Sequence, residues 1–363
     1  MIDVPHAVRQ SLLLYGILTA GLVLSARRQP KSDNLFPISV TTELKGLAIL
    51  AVYFSHIWIF LVSDRRFLFP LAGVSQAGVD LFLMLSGYGL SVSNLRRPQG
   101  VLTFYKRLLK LFIPLWIVLT VLLILDAVLL DIHYTGHLII LDYLGIYLTS
   151  DLGRDLDAPL WFVTYITGCY LLFPLVFRKQ RLWLSALIVF IIGVALVIIN
   201  PPVVRHVSFL YAWHPAAFPA GMLLAWLLQK QPRLLVLAHS SKPIIKGILI
   251  AVLSMSLIVI NPQSHGASAP GITQAVDLAF AFVLLVLFIL KPIELRLLSI
   301  LGTYSFEIYL LHWPIVLRYG FLYTHLPAWF ATLLYLAIIL ALSYVLQQLT
   351  TLIAPRKTTT KFP

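Results

Sequence analysis

The sequence predicts an all-α fold, a polytopic membrane helical bundle of about eleven spans, and three observations predict it. Hydrophobic residues make up 60% of the 363 positions and charged residues only 11%, whereas a soluble domain carries about 25% charged residues. The mean hydropathy is +0.92, and the apolar residues fall in runs near the roughly 20 residues that cross a hydrocarbon core. The basic residues collect in every second polar break. A disordered chain is excluded by the apolar content. A disulfide-stapled fold is excluded by the single cysteine, Cys169. A membrane β-barrel would show short alternating segments instead.

In chain order the apolar runs cover 8–26, 44–62, 77–95, 108–130, 160–177, 182–200, 210–229, 244–261, 273–290, 297–318 and 327–353. The stretch 137–148 is too short to span and carries Asp142, so it reads as re-entrant or interfacial. The first run is followed by its basic cluster, Arg27, Arg28 and Lys31, and lacks a small-residue cleavage site. It reads as a membrane helix rather than a signal peptide. Taking alternate breaks together, 21 of the 27 basic residues lie on one side. The other side carries Asp131, Asp142, Asp151, Asp155 and Asp157. Lysine and arginine mark the cytoplasmic face, which puts the N-terminus outside and the C-terminus in the cytoplasm. The net charge of +13 is then a matter of topology, with the bilayer as partner and no nucleic acid needed.

Ionisable residues inside spans are costly and are functional candidates by default. They are Lys45, His56, Asp80, Asp126, Asp277, Glu307 and His312. Asp126 and Asp277 lie near outer ends and read as reaching the headgroups. His56 follows Lys45 by eleven positions, which returns to nearly the same helix face about 16 Å further along the axis. Two readings of this stripe stand side by side. An imidazole there can act as a general base near neutral pH. Equally, it can be a core histidine bonded to a neighbouring helix, with Lys45 reaching the inner interface.

Asp80 starts the next span at a similar depth. It can orient an imidazole or simply face the helix dipole. Glu307 and His312 are five positions apart, about 140° around a helix, so each faces a different partner. Arg107 and Lys110 share a face at an inner mouth. They suit either an anionic phosphate group or the basic face alone. His133 and His137 are spaced like metal ligands, but an outer polar loop explains them better.

Five segments then line up in one order: ELKGLAILAVYFSHIW (43–58), GVDLFLMLSGYGLSVS (78–93), FYKRLLKLFIPLW (104–116), LWFVTYITGCYLLFPL (160–175) and LGTYSFEIYLLHWPIV (301–316). This set resembles the acyltransferase family 3 membrane proteins over about residues 40–350. The resemblance implies a ten-helix acyltransferase core at 36–353. Residues 1–35 then form an extra helix and linker, and 354–363 a short cytoplasmic tail. It also implies an enzyme that moves an acyl group, usually acetyl, from cytoplasmic acyl-CoA to a hydroxyl of a surface or exported glycan. No cofactor is held permanently; acyl-CoA is the donor substrate.

The family pattern of an arginine, ten residues and a histidine corresponds here to Lys45 and His56. Its cytoplasmic basic pair corresponds to Arg107 and Lys110. Where many members carry a glutamate after the LW pair, Tyr165 to Cys169 contain none. The implied roles are catalysis by His56 with Asp80 orienting it, phosphate binding by Lys45, Arg107 and Lys110, and acceptor binding near Trp161, Tyr165, Glu307 and His312. The implied setting is the cytoplasmic (inner) membrane, with a glycan or lipid-linked saccharide as acceptor and glycan-assembly proteins as further partners. Two other classes fit the intramembrane ionisable groups: a glycan or solute transporter using them as a proton relay, and a non-catalytic subunit of an assembly machine. Dependence on acyl-CoA separates the enzyme from both.

Overall fold

The computed structural model describes residues 2–29, 36–61, 64–69, 71–97, 100–148, 155–230, 243–259 and 269–353. Both proposed linker residues 30–35 and the tail 354–363 lie outside them.

The long helices are α1 (Ala7–Leu24), α2 (Ile38–Ile59), α3 (Ser75–Arg96), α4 (Val101–Leu129), α6 (Trp161–Val176), α7 (Leu182–Ile199), α9 (Ala217–Lys230), α10 (Pro243–Val259), α11 (Pro270–Leu290) and α15 (Ala328–Ile353). Shorter pieces are α5 (Gly136–Tyr143), α8 (Ser208–Tyr211), α12 (Arg296–Thr303), α13 (Ser305–Arg318) and α14 (Leu322–His325). Each of the eleven apolar runs is met by a helix or a helix pair, and 137–148 yields only the short α5. Seven of the described helices are long and apolar enough to cross a membrane, or eight with α12 and α13 taken as one bent span. The polarity of α3 and the shortness of α9 and α10 keep these three outside that set, so the count of eleven rests on the hydropathy of the sequence.

Two expected spans are broken rather than continuous. α12 and α13 meet at 76° around Tyr304. The run 210–229 is interrupted between α8 and α9, where His214 has left the helix. Pro215 explains the second break, because a proline disfavours the α conformation of the residue before it and brings no N–H of its own.

Helix α2 is the most enclosed of the candidate spans. It packs against α3 on one side and α12 on another. Reciprocal glycines set both of the closest crossings. A Cβ on Gly46 would collide with the Leu298 carbonyl, and one on Gly302 with the Thr42 carbonyl. Between α3 and α9, Gly87 and Gly221 press in the same way on the carbonyls of Phe218 and Met84. Lipid gives helices no hydrophobic reason to associate, so such close backbone contact supplies the packing.

At the basic end, β1 (Ala26–Arg28) pairs antiparallel with β2 (Ile293–Leu295), Arg27 opposite Glu294. Arg27 grips the Glu294 carboxylate with Nε at 3.0 Å and Nη2 at 2.9 Å. That two-pronged bond holds the Glu294 carboxyl below its usual range. Beside it the buried Glu43 accepts from Lys291 Nζ at 2.7 Å and from the Leu295 N–H at 2.6 Å. These bonds tie α1 and α2 to the start of α12.

Asp126 and Asp277 do not reach headgroups. Both are fully buried. Asp126 is ion-paired with Arg318 and accepts from Tyr134 Oη at 2.7 Å. A charge this deep must be paired, so Asp126 fastens α4 to the end of α13. Asp277 belongs to α11, which packs against α3, and neither of its buried carboxyl oxygens has a hydrogen-bond partner among the described residues.

Candidate functional site

A cavity of about 690 Å³ runs through the bundle, within the usual range of small-molecule sites. Its walls come from α2, α3, α6, α11, α13 and the break between α8 and α9. Most of the lining is apolar and aromatic. Lys45 and His56 both face it, so the helical stripe is real: one side of α2 presents a cation and an imidazole to a common chamber.

His56 is bonded to a neighbouring helix and also faces the cavity, so the two readings of it coexist. Its Nδ1 lies 2.6 Å from Nε2 of His312 on α13. The rings stack with centroids 4.9 Å apart, and Trp313 packs edge-on against His56. On the far side, Nδ1 of His312 lies 2.7 Å from the Tyr309 carbonyl. A carbonyl only accepts, so His312 carries its proton on Nδ1. With His312 neutral, its Nε2 is a lone pair, and His56 Nδ1–H donates into it. His56 Nε2 is thereby left as the basic lone pair.

Asp80 is fully buried and does not orient His56. Its Oδ1 lies 2.7 Å from Nδ1 of His214, so the expected carboxylate–imidazole pair exists with a different histidine. His214 faces the cavity and stacks on Trp161, centroids 5.6 Å apart and planes at 12°. Tyr165 stands behind it and donates Oη to the His214 carbonyl at 3.1 Å. His214 was not among the sequence candidates. Its signal was present: a histidine in an apolar run, directly before a proline.

Of the other expected residues, Trp161 lines the cavity, whereas Tyr165, Glu307, Arg107 and Lys110 are not among its lining residues. Glu307 is buried. His312 reaches the cavity only through His56. Arg107 donates Nη2 to Ser93 of α3 at 3.1 Å. Lys110 is exposed. Among the described residues Lys45 is thus the cation that lines the chamber. Among the described residues no three His, Cys, Asp or Glu are placed to hold a metal ion. His133 lies exposed, 3.8 Å from Asp131.

Fold and chamber together define a polytopic membrane protein with two buried side-chain pairs, His56–His312 and His214–Asp80, at an internal cavity. A family model described as an acyltransferase domain, that of acyltransferase family 3, matches residues 44–348, inside the expected core and clear of α1. The chain belongs to this family of multi-pass membrane acyltransferases. No curated protein and no solved structure matches it.

Proposed function

We propose that the protein moves an acyl group, acetyl in the simplest case, from cytoplasmic acyl-CoA to a hydroxyl of a surface glycan or lipid-linked saccharide. The observation that carries this reading is the placement of Lys45 and His56 on one wall of one cavity, about 16 Å apart along α2. The phosphates of the donor bind at the basic mouth, with Lys45 and Arg107, and the thin thioester arm extends to His56. His56 Nε2 acts as general base towards the acceptor or carries the acyl group transiently. Tyr309 and His312 hold its ring. The acceptor enters beside Trp161, whose aromatic face suits a saccharide. The setting is the cytoplasmic membrane, and glycan-assembly proteins deliver the acceptor.

The test uses purified protein in lipid with radiolabelled acetyl-CoA and a surface-glycan extract. His56→Ala should lower transfer by at least about 100-fold, and Lys45→Ala should raise the KM for acyl-CoA with little change in kcat. A fully active His56→Ala protein sinks the assignment. Absence of CoA release from acetyl-CoA and from longer acyl-CoAs moves the weight to a transporter.

A further inference from the structure

The cavity contains a second base that a direct transfer would not need. His214 comes from the helix break before α9, independently of α2. Its Nδ1 is engaged by Asp80 Oδ1 at 2.7 Å. The other oxygen of Asp80 has no hydrogen-bond partner, so what the carboxylate holds by hydrogen bonding is His214. A carboxylate accepts, so His214 carries its proton on Nδ1 and presents Nε2 as a lone pair. The stacked Trp161 fixes the ring plane. His56 and His214 are therefore two imidazoles, each oriented through Nδ1 by its own partner, facing one chamber. His56 shares its wall with Lys45, and His214 shares its wall with Trp161.

We infer that the two divide the reaction: His56 carries the acyl group, and His214, positioned by Asp80, is the base that takes the proton of the acceptor hydroxyl. This rests on the acyltransferase reading above. In the first half, His56 Nε2 attacks the thioester carbonyl carbon. The N–C bond forms, the C–S bond breaks, and the electron pair leaves on sulfur as CoA thiolate. The Nδ1 proton of His56 passes to His312 Nε2, and the Tyr309 carbonyl stabilises the resulting imidazolium. In the second half, the acceptor oxygen attacks the acyl carbon and its proton goes to His214 Nε2. The C–N bond breaks, its electron pair returns to His56 Nε2, and His312 returns the proton to His56 Nδ1. His214 then gives its proton to water, and the thiolate takes one from water.

The experiment follows acyl-protein formation and decay from radiolabelled acetyl-CoA, with water as the acceptor. His214→Asn keeps an amide donor for Asp80 but lacks the Nε2 lone pair. It should release one CoA per chain and then stall, holding its label at least about 100-fold longer than the native protein. The stoichiometric first release also reports that the variant is folded. Neutral hydroxylamine, a nucleophile that needs no base, should discharge the label from both proteins. Asp80→Asn should lengthen the label's life by a smaller factor, and His56→Ala should form none. The assignment is overturned if His214→Asn turns over at the native rate. It is equally overturned if His214→Asn and His214→Ala, each shown to be folded, lose the first CoA release, since His214 would then serve the donor. Either result leaves the acyltransferase reading standing. That reading falls separately if the native protein releases no CoA from any acyl-CoA offered.

Discussion

His312 does for His56 what a carboxylate does in a hydrolase triad, but without a charge. Its Nδ1–H is committed to the Tyr309 carbonyl, which forces its Nε2 to accept from His56. In the resting state a neutral partner is the cheaper choice in this setting, because a buried charge costs several kcal/mol unless it is paired, and the charge arises on His312 only while His56 is acylated. His312→Phe removes the acceptor and frees the His56 ring, so kcat should fall about 100-fold with little change in the KM for acyl-CoA. His312→Gln offers an amide oxygen and should recover part of the loss; equal losses in both variants would argue against an orienting role. Lys45, His56 and Asp80 were legible in the sequence because ionisable groups are costly in apolar runs and therefore stand out, while Trp161 was named only through the family resemblance. Their pairing was not legible. Helical periodicity says which residues share a face of one helix, and nothing in it says that α13 brings His312 to His56 or that the break before α9 brings His214 to Asp80.

The helices themselves follow from hydropathy, and their interruptions do not. A window of about 20 residues averages over the bend at Tyr304 and the break at Pro215, yet these deliver His312 to His56 and His214 to the chamber. The short element α5 shows the opposite case. Its brevity and its aspartate mark it as non-spanning, and the structure seats it against α4, with Trp116 Nε1 donating to the Tyr143 carbonyl at 2.7 Å. Burial, aided by the charge of Asp155, pushes the Asp142 carboxyl up to about 7. An unfolded aspartate titrates near about 4. Between those values the folded loop keeps a proton that the unfolded chain has lost, so rising pH destabilises the fold across this window and the full contribution is present below it. Asp142→Asn removes the ionisation while leaving the backbone carbonyl that accepts from Tyr147 Oη at 3.1 Å. The variant should have a higher Tm than the native protein at pH 7.5 and a flatter Tm profile between pH 4 and 7, measured in lipid nanodiscs. A lower Tm for the variant at pH 7.5 would show that the carboxylate is stabilising instead.

At the scale of the whole molecule, the donor route depends on which side Lys45 faces. The charge asymmetry of the sequence predicts that the Lys45 end faces the cytoplasm, and the structure gathers Arg27, Glu294, Glu43 and Lys291 into a clasp at that same end. This clasp was not legible, because it joins residues more than 240 positions apart, Glu43 with Lys291 and Arg27 with Glu294. Orientation can be read directly, since the chain's one cysteine, Cys169, is buried and Cys169→Ser gives a background without reactive thiols. His133 and Lys179 are exposed at opposite ends of the bundle by the alternation of the loops. In intact cells a membrane-impermeant maleimide should label His133→Cys at once and Lys179→Cys only after permeabilisation. The reverse pattern would turn the Lys45 mouth outward, away from the cytoplasmic pool of acyl-CoA. His56 could then still be a base, but the donor could not reach it along the stripe, and the direction of transfer assigned to the cavity would have to be inverted.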